Sequence, residues 1–312
     1  MARLLVAVNA AAGGGRARAV GDRAVAALGD DGHDVRRLTA DSGPAMEAAL
    51  RRAVAQDAAD AVVVVGGDGS LHLAVNALAQ TGVPLGIVAA GTGNDVARCL
   101  GLPHDDPDAA IALLVEAFDA GDDEPIPTRS IDAVRVSTGR WFVGMLSAGF
   151  DAAVNERANR MTRLSGTPRY VVAVLLELAR LHARRYRVTT DRDTRRLDAV
   201  LVTVGNTASI GGGMRLAPDA RVDDGLLDVL VATPLSRVQL LRLFPKVFRG
   251  THVNDDHVSF ERGRVITIDV DDRGPAPVTY ADGERFGPLP VTLQVVPGAL
   301  RIVVPAPVPS TP

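Results

Sequence analysis

The chain has 312 residues, 47% of them apolar, a net charge of −3 and a single cysteine, Cys99. That length suits two domains with sizeable cores, and a near-neutral charge without a dense basic stretch excludes a nucleic-acid-binding composition. One cysteine excludes an internal disulfide framework and a cysteine-based metal site, and points to a reducing, cytoplasmic setting.

The elements of the first part alternate. RLLVAV (3–8) reads as a strand rather than a signal peptide; a glycine loop then opens onto a helix over 16–29. HDVRRLT (33–39) is a second strand, and 43–56 a helix with Pro44 in its first turn. ADAVVVV (59–65) is a third strand, unalternating and so buried on both faces. A helix over 70–82 closes at Gly82, PLGIVAA (84–90) is a fourth strand, and GTGNDVARCLG (91–101) precedes a helix around 108–118. Alternating strands and helices imply a parallel sheet with crossover helices. Ligands of such sheets bind beyond the carboxyl ends of the strands, where the glycine loops 13–15, 66–69 and 91–93 all fall.

The polar, proline-bearing segment 120–130 marks a boundary, with domains at 1–127 and 128–297 and the segment 298–312 free to return to the first. Beyond it the pattern is mostly strand-like, interrupted by helical stretches at about 152–184 and 236–249, as in an antiparallel sheet or sandwich. RYVVAVLLELARLHARRY (169–186) is too short and too charged to span a bilayer. It either packs against the sheet or leans its basic end on an anionic membrane surface. The chain ends in a short strand and a proline-rich tail.

The glycine loops narrow the chemistry. A dinucleotide fingerprint needs G-x-G-x-x-G and a ribose-binding acid; at Gly67 and Gly69 the third position is His72, and at Gly13 and Gly15 it is Arg18. Both the P-loop pattern and the protein-kinase signature set are absent. The alternative is a phosphate cradle of backbone N–H groups, with glycine admitting close approach. Asp68 inside such a cradle repels phosphate unless a cation such as Mg2+ lies between them; its other reading is a cap on the following helix. Likewise ADGE (281–284) reads as a hairpin turn or as two acids facing one way on an extended segment.

GGDGS (66–70), followed about twenty residues later by GTGND (91–95), resembles the catalytic domain of diacylglycerol kinases, sphingosine kinases and related bacterial lipid kinases. The resemblance extends through VNAAAGGG, IDAVRV, GGGMRLAPDARVDDGLLDV, FRGTHVNDDHV and ADGE, over nearly the whole chain. It implies a phosphofructokinase- or NAD-kinase-like α/β domain, then a mainly antiparallel β-sandwich. It also implies transfer of the ATP γ-phosphoryl group, with Mg2+, to a lipid hydroxyl, diacylglycerol foremost. By the resemblance, Asn9, Ala10, Ala11, Ala12 and Gly13 wall the nucleotide site and Thr39 touches it. Gly66, Gly67, Asp68, Gly69, Ser70 and Leu71 wrap the phosphates, and Thr92 adds a hydroxyl. Asp68, Asp95 and Asp132 form a carboxylate network, partly through water, around catalytic magnesium, Asp282 joins the catalytic set, and Glu284 is the base. The Asp224 side chain and the carbonyls of Arg221 and Leu226 hold a structural magnesium. The partners expected are a lipid at the membrane surface, met peripherally by a cytoplasmic protein, and a second copy of the chain paired through edge strands.

Two departures bear on this. The family's first loop usually reads N-P-x-S-G, here NAAAG, and its second GGDGT-x-NE, here with His72 and Leu73 in place of Asn and Glu. Two other functions stay open: an NAD-kinase-like or other small-molecule kinase, and a non-catalytic nucleotide-binding regulator.

Overall fold

The computed structural model describes residues 1–9, 12–119, 125–161, 166–272 and 274–305. The chain divides into two compact units, one comprising Met1–Ala133 with the chain from Pro297 on, the other Val134–Val296.

In the first unit the elements are β1 (Arg3–Val8), α1 (Arg16–Asp30), β2 (Asp34–Leu38), α2 (Gly43–Ala55), β3 (Ala61–Gly66), α3 (Asp68–Leu78), β4 (Pro84–Ala89), α4 (Asp95–Cys99) and α5 (Pro107–Phe118). β5 (Thr128–Val136) then carries the chain into the second unit. The strand order β2-β1-β3-β4 is parallel throughout. α1 buries Ala17, Val20, Ala24 and Leu28, a helical face, against Val6 and Val8 of β1, with Ala110 and Leu114 of α5 in the same core. α3 packs on β3 and β4. With helices over its surfaces, every residue of β3 is buried, which accounts for its run of valines.

The second unit holds β6 (Trp141–Phe142), β7 (Met145–Gly149), α6 (Phe150–Arg160), α7 (Gly166–Ala179), β8 (Arg184–Thr189), β9 (Thr194–Ala199), β10 (Leu201–Gly205), β11 (Leu227–Ala232), α8 (Arg237–Arg249), β12 (Val258–Gly263), β13 (Val265–Val270), β14 (Val278–Ala281) and β15 (Glu284–Pro288). β16 (Val291–Val303) starts there and ends in the first unit, where Arg301 and Ile302 pair in parallel with Pro84 and Leu85 of β4. One antiparallel sheet runs β12-β11-β10-β7-β14-β15, a second β16-β13-β8-β9. Val202, Val204, Val229 and Leu146 of the first meet Tyr186, Val188, Ile266, Ile268 and Leu293 of the second in one core. The result is the antiparallel β-sandwich expected of this half, beside an α/β half with a parallel sheet.

Two expectations are corrected. The helical stretch at 152–184 is α6 and α7, and the helix over 169–186 stops at Ala179. The reason is a change of period: Tyr186 and Val188 are buried at alternate positions, so the chain from Arg184 pairs as a strand. Arg184 and Arg185, the supposed basic end of that helix, are paired with Asp272 and Asp198. Second, the short carboxyl-terminal strand is the end of a long one, β16, which starts at Val291 and continues through Pro297 and Gly298. The proline-rich end of the tail, 306–312, lies outside the described residues.

Candidate active site

β1, β3 and β4 are neighbours, so the loops at their carboxyl ends converge. The Asn9 N–H donates to Val65 O at 3.2 Å and Ala90 N–H to Gly66 O at 2.8 Å. The Asn9 side-chain amide then donates to Ser70 Oγ at 3.1 Å. These bonds tie the first loop to the second, and the second to the third.

The glycines of the second and third loops serve each other first. A Cβ on Gly91 would lie 2.5 Å from Gly67 Cα and 2.7 Å from Asn94 Oδ1; one on Gly67 would lie 2.9 Å from Gly91 Cα. The loops therefore pack backbone on backbone. One on Gly66 would collide with the Ser70 side chain. Protein atoms already require these three glycines, whatever a phosphate adds. Ser70 and Leu71 donate their N–H groups to Gly67 O at 2.9 and 3.1 Å, inside the first turn of α3, and the Leu71 side chain is buried. Of the segment Gly66–Leu71, the amides of Ser70 and Leu71 are thus engaged in helical hydrogen bonds.

Asp68 links the two loops. Its Oδ2 accepts from Asn94 N–H at 2.9 Å and its Oδ1 from Asp95 N–H at 3.0 Å. It does not cap its own helix, whose N-cap is Gly67; it caps α4, 26 residues further on. Asn94 holds that turn in the left-handed region, φ 52°. Its Oδ1 accepts from Gly91 N–H at 3.2 Å, and its amide donates to the carbonyls of Gly91 and His104 at 3.3 and 2.7 Å. The sequence reading passed over Asn94; its signal is an asparagine directly after Gly93 at a helix start, since asparagine tolerates this backbone.

Asp95 brings a second carboxylate alongside. A Cβ on Gly93 would lie 2.6 Å from Asp68 Oδ2 and 3.3 Å from Asp95 Oδ2, so this glycine sits beside both acids. Burial, and then the negative charge of Asp95, push the Asp68 carboxyl above its usual range, against the pull of the two N–H donors. Two carboxylates in a poorly solvated recess, with oxygen donors only, suit a hard divalent cation such as Mg2+. Asp132, buried on β5, accepts from Gly298 N–H at 3.0 Å. Among the described residues no three acidic, histidine or cysteine side chains gather to hold one metal ion, so Asp132 does not complete a direct three-carboxylate cluster. Thr39, beyond the edge strand β2, and Thr92 are exposed; Ala12 and Gly13 form a short 3-10 turn before α1; Ala10 and Ala11 lie outside the described residues.

In the second unit, ADGE is a two-residue hairpin. Asp282 (φ 51°) and Gly283 (φ 80°) are both left-handed, and Ala281 pairs with Glu284 across the turn. The extended-segment geometry is thereby corrected. Asp282 points inward and accepts backbone N–H groups from Val143 at 3.1 Å, Gly144 at 3.0 Å and Met145 at 3.2 Å. It locks the hairpin to β7 and is a positioning residue. Glu284 opens β15 with its side chain exposed. Its neighbour Arg285 lies 3.4 Å from Glu156 of α6, whose other oxygen contacts include the Tyr280 hydroxyl, donating at 2.5 Å, and Arg160 at 2.5 Å. The Tyr280 bond foremost holds the Glu156 carboxyl below its usual range. Arg140 donates to Arg285 O at 2.8 Å and stacks on Phe286. None of these supports was legible as a motif.

The 220–229 loop turns at Gly225 (φ 67°), and Asp224 Oδ1 accepts from Leu226 N–H at 3.0 Å. Arg262 lies 3.4 Å from Asp224 Oδ2 and 2.8 Å from Asp228 Oδ1. A metal held by Arg221, Asp224 and Leu226 would have to compete with that guanidinium, which already stands between the two carboxylates. A neighbouring groove of about 890 Å³ has its charges paired internally, Arg195 with Glu261 and Arg262 with Asp228.

A parallel sheet whose glycine loops close over paired carboxylates, joined to an antiparallel sandwich, defines a class of phosphoryl-transferring enzymes, and the relatives agree. Residues 3–121 match the model of the diacylglycerol kinase catalytic domain. Residues 144–304 match that of the YegS C-terminal NAD kinase beta sandwich-like domain. A diacylglycerol kinase of Mycobacterium tuberculosis is 40% identical over 283 residues, 89% of this chain and 84% of that one. A probable YegS-like lipid kinase of Pseudomonas aeruginosa is 32% identical over 78% of this chain and 76% of its own. The crystal structure of a putative diacylglycerol kinase from Bacillus anthracis shares the fold, with a TM-score of 0.76 at 20% identity over 97% of this chain and 95% of that one. The chain belongs to the family of diacylglycerol kinases and YegS-like lipid kinases.

Proposed function

We propose that the protein transfers the γ-phosphoryl group of ATP, bound with Mg2+, to the free hydroxyl of diacylglycerol. The observation that carries this reading is the Asp68–Asp95 pair: two carboxylates side by side, one of them raised by burial, at the junction of two glycine loops. Asp68 and Asp95 would hold Mg2+, which would supply charge neutralisation for the transferring phosphoryl group. Asn9 to Gly13, Gly67 to Gly69, Thr39 and Thr92 contact the nucleotide. Glu284 takes the hydroxyl proton as the acceptor oxygen bonds to phosphorus and the bond to the β-phosphate oxygen breaks, leaving ADP. Asp132 acts in support, through water. Diacylglycerol is favoured by the similarity to the diacylglycerol kinase of Mycobacterium tuberculosis; the lipid is met at a membrane surface, and no helix among the described residues is long and apolar enough to cross one.

The test is incubation with labelled ATP and Mg2+ against diacylglycerol, sphingoid bases, glycerophospholipids, isoprenols and NAD. Phosphatidic acid is the expected labelled product. Label on another lipid alone would replace the acceptor, and label on NAD alone, or on nothing, would overturn the reading.

A further inference from the structure

α8 begins and ends firmly. Ser236 Oγ accepts from Gln239 N–H at 3.3 Å, Gln239 Oε1 accepts from Ser236 N–H at 2.8 Å, and Gly250 closes the helix at φ 71°. The helix meets the sandwich with Leu243 and Val247, the latter in a core with Met145, Leu216 and Leu230. The other side is apolar as well. Val238, Leu241, Phe244 and Phe248 are 55%, 51%, 42% and 48% exposed. At the helical repeat they cover an arc of about 120°. Phe244 and Phe248 pair edge to face, their centroids 5.7 Å apart. Both aromatic rings thus form one exposed ridge.

The charges on this helix are of one sign. Arg237, Arg242, Lys246 and Arg249 are exposed, and RVQLLRLFPKVFR contains no acid. Arg242, Lys246 and Arg249 form a strip along one border of the apolar arc. Lys246 has Asp255 at 3.3 Å, and Arg237 donates to the Ala179 carbonyl at 2.6 Å, at the end of α7. Among the described residues neither Arg242 nor Arg249 has an acidic partner. α7 itself exposes Tyr170, Val171, Leu175 and Leu176.

An apolar ridge edged by cations, two of them without an acidic partner among the described residues, matches an anionic phospholipid surface: rings and aliphatic side chains enter the acyl boundary while the guanidinium groups meet the headgroup phosphates. We infer that α8 is the element by which this protein docks on anionic bilayers, lying in the plane of the surface. The inference rests on the lipid-kinase reading for its purpose and on α8 alone for its geometry. It also moves the membrane contact from the 169–186 segment, where Arg184 and Arg185 are ion-paired on β8, to a helix that carries two exposed arginines, Arg242 and Arg249, without an acidic partner among the described residues.

The test is co-sedimentation of the full chain with vesicles of phosphatidylcholine containing phosphatidylglycerol, against phosphatidylcholine alone, at low and high salt. Each basic group near an anionic surface is worth about fivefold in partitioning. Arg242→Glu with Arg249→Glu should therefore weaken binding at least about 25-fold. Phe244→Ser with Phe248→Ser should weaken it about tenfold or more. These positions are exposed, so unchanged thermal melting checks that the variants fold. Both variants should phosphorylate short-chain, water-dispersed diacylglycerol like the parent while losing activity on vesicle-borne substrate. Equal binding to neutral vesicles, or binding that neither pair of substitutions alters, overturns the inference. So does a dimer in sedimentation velocity that the phenylalanine pair dissolves, since a second copy would then cover the ridge. Absence of phosphorylation on any lipid would sink the proposed activity and leave docking to be judged by sedimentation alone.

Discussion

Asp68 concentrates the chemistry at the scale of single residues. Its carboxylate is satisfied by two N–H donors yet burdened by burial and by Asp95, so its folded-state pKa lies above the unfolded one, near 3.8. Between these two pKa values the folded protein binds the extra proton, so its stability falls as pH rises through that window. Without Mg2+, the melting temperature relative to Asp68→Asn should rise as pH is lowered from neutrality towards 4. Adding Mg2+ should remove this dependence. A parent that loses stability relative to Asp68→Asn on acidification would show a lowered pKa and contradict the cation-site reading. Asp282 contrasts with it. Three N–H donors converge on that side chain, and each one orphaned in a buried setting costs about 1–3 kcal/mol, so its place in the site is architectural.

Among the elements, the two glycine loops form one device. Gly67 and Gly91 touch backbone to backbone, so Gly91→Ala must push the loops apart. Overpacking of this kind costs about 1–3 kcal/mol, which a denaturant midpoint would read, with nucleotide affinity falling in parallel. A stable, fully active Gly91→Ala would show that the loops do not need this contact. The strands and helices themselves were legible in the sequence because their periods are strong: the valine run of β3 and the spacing of Ala17, Val20, Ala24 and Leu28 each admit one reading. The motifs were legible too, but not their partners. That Asp68 caps a helix 26 residues away, and that Asp282 reaches Val143, Gly144 and Met145, depend on loops meeting in space, which no local pattern encodes. The helix over 169–186 was misread because its apolar residues suit either period; pairing of β8 with β9 and β13 decided for strand from Arg184. At 220–229 the motif suggested a metal, and Arg262, nearly forty residues downstream, stands beside the acid it would use.

For the whole molecule, the division of labour follows from the two architectures. A parallel sheet gathers loops at one end, and there the first unit sets its glycines and its acid pair. The antiparallel sandwich supplies hairpins, and in the second unit one hairpin carries the exposed Glu284 and one helix an apolar, basic ridge. The proposed activity makes one physical demand of the first unit, a divalent cation between the Asp68–Asp95 pair and polyphosphate. The direct measurement is calorimetric titration with a non-hydrolysable ATP analogue, with Mg2+ and with chelator, on the parent and on Asp68→Asn. The account predicts binding that needs Mg2+ and drops about a hundredfold in the variant, the loss of a charge-assisted contact of about 3 kcal/mol. Equal affinity with chelator, or an Asp68→Asn variant that binds as the parent does, would contradict it.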